Sequence, residues 1–177
     1  MAVFITARAN RNIADYMEEL IRNIFYAEYP LLFRMGYGVF YDSAESVIYA
    51  FRAVHNANQR LLKVKVHCME LHIEGDKEEA DIISVADAIG RYFYGKGFQA
   101  FITVFKVGKI YCVKIVVNAS SFIDGHAFHD NNKNYLEVLQ YLQMIAPFDW
   151  KIEASNSVFF QPGVSTGNYI NGMFPVL

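Results

Sequence analysis

Residues 2–7, AVFITA, are a short run of β-branched, aromatic and small apolar side chains and predict a strand. The period then changes. In NRNIADYMEELIRNIFYAEY, residues Ile13, Met17, Leu20, Ile21, Ile24 and Phe25 recur at the spacing of one helical face. Asn10 or Asn12 would cap that helix and Pro30 would stop it. FRMGYGVFY contains two glycines and reads as a loop or a short strand. A second helix is expected from Asp42, because DSAE has the capping-box spacing with Glu45. Its apolar stripe would be Val47, Ile48, Phe51 and Val54.

The stretch 61–74, LLKVKVHCMELHIE, alternates with period two and predicts a long half-buried strand. Asp76 and Glu79 would start a third helix, DKEEADIISVADAIGRYFYG, with Gly95 or Gly97 at its end. FQAFITVF and IYCVKIVVN are strands joined by KVGK, the pattern of a hairpin. DNNKNYLEVLQYLQMIAPF predicts a fourth helix, stopped by Pro147, and WKIEASNSVFF one or two late strands. Helices interleaved with hairpin-linked strands make the expected fold α+β, an antiparallel β-sheet with helices packed mainly on one face. One domain over 1–160 and an irregular C-terminal tail over 161–177, rich in Gly and Asn, complete the outline.

With its turn at Val107–Gly108, the hairpin would set 105 opposite 110, 103 opposite 112 and 101 opposite 114. One face would carry Ala100, Ile102, Val104, Tyr111, Val113, Ile115 and Val117, a core surface. The other would carry Phe101, Thr103, Phe105, Ile110, Cys112, Lys114 and Asn118. A lysine in mid-strand must keep its ammonium wet or paired, so this second face opens onto water, a groove or a partner.

Composition narrows the function classes. The chain has 177 residues, 54% of them hydrophobic and only 19% charged, which suits a packed core and not a disordered chain. A formal net charge of −2 excludes a uniformly basic nucleic-acid binder and leaves only a local patch for that role. The two cysteines, Cys68 and Cys112, are far apart and suit a reducing, cytoplasmic setting. MAVFITARAN is not patterned as a signal peptide, and no apolar run reaches membrane-spanning length. His67 and His72 are an odd number of residues apart on one strand, so they point to opposite faces and would not share a metal.

The segment IVVNASSFIDGHAFHDNNKNYLEVLQYL resembles the stretch that follows the metal motif in MobA-like (MOBP-type) plasmid mobilisation relaxases of the HUH superfamily. VADAIGRYFYGKGFQAFITVF resembles the helix and strand that lead to the first metal histidine in that family. RMGYGVFYDSAESVIYAFRAVHNAN resembles its Gly-rich segment and following helix, and NIADYMEEL its tyrosine-bearing helix. The likeness covers most of residues 1–155. It implies transesterification, in which a tyrosine attacks a DNA phosphate polarised by a divalent ion on three histidines. Carried over, the nucleophile falls on Tyr16, while the three metal histidines fall on Phe105, Cys112 and Lys114. None of these three is an imidazole, so the resemblance implies a degenerate metal site with no metal and no cofactor expected.

The expected protein is therefore a relaxase-like pseudoenzyme of a mobile genetic element. Metal-dependent nicking would be lost, and it would act in conjugation or mobilisation as a DNA-binding or accessory protein. Nucleic-acid-binding candidates are Arg8, Arg11, Arg22, Lys106, Lys109, Lys114, Asn118 and His129. The partners would be single-stranded DNA or other mobilisation proteins. One alternative is an active nickase that forms a phosphotyrosine link through Tyr16, with Mg²⁺ or Mn²⁺ on a non-standard site. The other is a protein-interaction module, a homodimer without DNA binding, favoured by 15 Phe and 12 Tyr. Bland roles stand beside these: Tyr16 as a core or interface aromatic, Cys112 as a small apolar filler, Lys114 as a solvated edge lysine.

Overall fold

The structure is a computed structural model that describes residues 2–7 (side chains at 2–4), 16–58, 62, 64–129 and 131–154. In chain order the elements are β1 (Ala2–Ala7), α1 (Tyr16–Phe25), β2 (Leu31–Tyr37), α2 (Ala44–Ala57) and β3 (Val66–Glu74). They continue with α3 (Glu79–Gly95), β4 (Phe98–Val107), β5 (Ile110–Ser121), α4 (Asn132–Ile145) and β6 (Ile152–Ala154). The strands form one six-stranded sheet in the order β2-β4-β5-β3-β1-β6. Every pairing is antiparallel except β1 with β6. The α+β class with an antiparallel sheet is thus what the chain adopts.

The helices divide between the two faces instead of gathering on one. α3 and α4 cover the odd positions of β3 and β5, with Ile82, Ile89, Phe93, Val138 and Leu142 packed on Leu71, Val113 and Ile115. α1 and α2 cover the even positions of β3 and β5 and the odd positions of β4, with Met17, Ile21, Val47 and Phe51 packed on Cys68, Phe101, Phe105 and Val116. The cause is legible in β4: Phe101 and Phe105 are as buried as Ile102 and Val104. A strand apolar on both faces needs cover on both.

FRMGYGVFY supplies most of β2, a true edge strand paired to β4 with a bulge between Leu31 and Phe33. The hairpin turn is Gly108–Lys109, one residue beyond the expected pair, with Gly108 at φ 60° as a tight turn requires. Phe105 therefore faces Cys112, and Thr103 faces Lys114. Relative to the expected register the slip is two residues. Side chains alternate with period two, so each keeps its face and changes only its opposite neighbour.

Helix starts differ by a residue or a few. Ser43, not Asp42, caps α2 and accepts a hydrogen bond from Ser46 N at 3.1 Å. Glu45 reaches across to Arg22 on α1. α3 begins at Glu79, so Asp76 lies outside it. Asn131 caps α4 by accepting from Asn134 N at 2.9 Å. The residue before Pro147, Ala146, is extended with ψ 149°, which ends that helix. The expected caps Asn10 and Asn12, and the tail from 161 on, lie outside the described residues.

Candidate functional site

β3 and β5 lie side by side at the centre of the sheet, and their even-numbered positions point toward α1 and α2. Most of those positions are apolar. The exception is a patch toward the hairpin end, where Glu70 is registered with Lys114 and His72 with Cys112. β4 adds Thr103 beside Lys114 and Phe105 beside Cys112. Antiparallel register and alternation thus bring Glu70 together with Cys112 and Lys114, 42 and 44 residues away along the chain.

Glu70 is the hub. Lys114 Nζ donates to its Oε1 at 2.7 Å. His72 Nε2 lies 2.8 Å from its Oε2, and the Cys112 thiol donates weakly to the same oxygen at 3.8 Å. All four are largely buried, Glu70 and His72 to 9% exposure and Cys112 to 2%. Burial pushes the Glu70 carboxyl up, but the His72 hydrogen bond and the Lys114 ammonium outweigh it and hold it below the carboxylate range. For Lys114, burial disfavours the charge while Glu70 favours it more strongly, so the ammonium persists above its ordinary range. Burial and the Glu70 charge both push the Cys112 thiol up, so it is a poor nucleophile.

Tyr16, the first residue of α1, packs against the α1/α2 core. Its phenol is held well above its usual value, first by burial and then by Cys68 and Glu70, with Lys114 opposing. A nucleophilic tyrosine needs the reverse, a base or a cation that favours phenolate. Cys68 is fully buried in register with Val116, and its thiol is pushed up to about 12 by burial.

The positions carried over from the resemblance are therefore neighbours in space, on the face that also receives Tyr16. They do not fit a hard divalent cation held by imidazoles. Phe105 offers no donor atom, Cys112 is an un-ionised thiol, and Lys114 brings a positive charge that repels another cation.

The nucleic-acid candidates scatter. Lys106 faces α3, where Glu79 takes its ammonium at 2.8 Å, on the opposite side of the sheet from Lys114. Lys109 is in the hairpin turn. Arg22 pairs with Glu45, and Arg52 with Glu18, which stitches α1 to α2. Asn118 is completely buried: its Nδ2 donates to Phe51 O at 3.2 Å and Gln99 Oε1 at 2.8 Å, and its Oδ1 accepts from Ser120 N. That leaves its side chain no surface to offer a polynucleotide. His129 is exposed just before α4, and its carbonyl accepts from Asn134. Arg8 and Arg11 lie outside the described residues.

His67 and His72 do point to opposite faces, His67 packing edge-on against Phe128 at 5.2 Å. Sequence reading weighed His72 only with His67 and passed over its combination with Glu70. Glu70 and His72 are two apart, hence on one face, and opposite Cys112 and Lys114 in any antiparallel pairing of these strands with this register. The signal was parity, but using it required knowing that β3 neighbours β5.

No protein-family model, curated protein or solved structure matches this chain. Among the described residues no helix is long and apolar enough to cross a membrane.

Proposed function

We propose that this chain is a relaxase-like accessory protein of a mobile genetic element that has exchanged metal-assisted nicking for a binding role on single-stranded DNA. The observation that carries the reading is the Lys114–Glu70 pair at 2.7 Å, set on the same face as Tyr16. An ammonium tied to a carboxylate supplies no open electrophilic position for a phosphoryl oxygen, and a phenol raised by its surroundings supplies no nucleophile. What remains is the scaffold. Exposed aromatic rings such as Phe40, Tyr49 and Tyr26, at 82%, 77% and 63% exposure, are the groups on which unpaired bases stack.

The test is fluorescence anisotropy with labelled single-stranded oligonucleotides at low ionic strength, run beside a supercoiled-plasmid nicking assay with Mg²⁺ or Mn²⁺. Expected are binding that weakens steeply as salt rises and no relaxed product or covalent adduct. Undetectable binding at low salt removes the DNA role. A covalent adduct that Tyr16→Phe abolishes restores the active nickase.

One observation favours the interaction module as a second reading. Most described cations are already committed: Arg22, Arg52, Arg91, Lys77, Lys96 and Lys106 each sit on a carboxylate. Light scattering separates the readings, since this module gives a dimer whose mass is unchanged by added oligonucleotide.

A further inference from the structure

We infer that Glu70, His72 and Cys112 form a binding site for a zinc-class cation, which shares only Cys112 with the positions that the relaxase resemblance implies. One ligand atom from each lies within 4.8 Å of the other two. Within that triad the imidazole nitrogen is 2.8 Å from Glu70 Oε2 and the sulfur 3.8 Å from it. Four-coordinate zinc takes S, N and O donors at about 2.0–2.3 Å, so its ligand atoms stand a little over 3 Å apart. Small side-chain adjustments bring the triad to that spacing, and water completes the fourth position.

The scaffold is suited to hold it. The residues sit on two hydrogen-bonded central strands, with His72 and Cys112 directly in register. Lys114 engages only Oε1 of Glu70 and leaves Oε2 on the triad's side. It therefore acts as the outer partner that orients a ligating carboxylate, as such hydrogen bonds commonly do. The donor chemistry selects the metal. One thiolate, one imidazole and one carboxylate favour Zn²⁺ over Mg²⁺ and Mn²⁺. The thiolate and carboxylate together cancel the charge of the ion, so Lys114 then faces a formally neutral centre.

Binding requires the Cys112 thiol to lose its proton to solvent and the imidazole to present a lone pair from Nε2. Affinity should therefore rise with pH. The other titratable groups beside the cluster are Tyr16 from α1, Cys68 from β3 and Lys114 from β5.

The experiment is a titration of the metal-free full chain with Zn²⁺, and with Co²⁺ as a spectroscopic substitute. Expected are one ion per chain, a sulfur-to-cobalt charge-transfer band, and loss of that band in Cys112→Ser but not in Cys68→Ser. His72→Gln removes a direct ligand and should weaken Zn²⁺ binding by more than the about 10–100-fold that loss of an outer partner costs. Circular dichroism of each variant confirms that it remains folded, and proton release on adding Zn²⁺ to the unsubstituted chain provides a readout independent of any variant. No stoichiometric binding, or a cobalt band that survives Cys112→Ser, overturns the site. The inference stands apart from the proposed function. Zinc bound without nicking supports both, no zinc and no nicking removes only the site, and zinc-dependent nicking through Tyr16 removes only the accessory reading.

Discussion

Lys114→Ala is expected to destabilise the protein by about 3 kcal/mol, read as a shift in the urea midpoint at neutral pH. The loss comes less from the missing ion pair than from what it leaves behind. Glu70 is 11% exposed in its side chain and would keep a charge with no cation beside it. The figure sits at the low end for a broken buried pair because Lys114 itself is 26% exposed and water reaches it. Replacing both partners, Lys114→Met with Glu70→Leu, should regain most of the loss, since two apolar side chains leave no charge to compensate.

Acid provides the complementary readout. The folded-state pKa of Glu70 lies below its ordinary 4.5, so the stabilisation is complete above that value and fades as pH falls toward about 2. The gap between parent and Lys114→Ala should therefore narrow in acid, where the lone carboxyl is protonated and its burial costs less. A gap independent of pH would place the Lys114 effect elsewhere than on Glu70.

Asn118→Ala is expected to cost about 3 kcal/mol, the upper range for stranding a buried polar group. Its amide ties α2 to the sheet through Phe51 O and ties β5 to β4 through Gln99, and its carbonyl accepts from Ser120 N further along β5. Because the side chain is wholly buried, oligonucleotide affinity per folded molecule should be unchanged. Thermal unfolding and anisotropy on the same sample measure both quantities. A large loss of affinity with unchanged stability would return Asn118 to the binding candidates.

Much of the fold was legible because burial imposes periodicity. The stripe of Met17, Ile21 and Ile24 and that of Val47, Ile48 and Phe51 placed α1 and α2, and alternation placed the hairpin and β3, though β3 spans Val66–Glu74 and is buried on both faces where a half-buried strand over 61–74 was expected. The face partition of β4 and β5 was right even though their register was not, since a two-residue slip preserves parity. What failed was whatever depends on which elements meet. Nothing local says that α1 and α2 return to cover Phe101 and Phe105, so helices on both faces were not foreseen. The same gap hid the site. Lys114 stood out as a mid-strand lysine, but its partner lies on β3, 44 residues earlier, and the pairing appears only once β3 is seen beside β5. Asn118, read as a possible DNA contact, illustrates the converse: a polar residue at a strand end is indistinguishable in sequence from a buried hydrogen-bonding hub.

In the proposed reading, an ammonium bound to Glu70 stands where the relaxase resemblance would place a hard divalent cation. The most direct test of that reading is a Mn²⁺ titration of the metal-free chain followed by electron paramagnetic resonance. The account predicts that the free-ion signal rises with each addition as it does in buffer, with no stoichiometric loss. One Mn²⁺ taken up per chain, and released on substitution of a residue of the hairpin face, would contradict it.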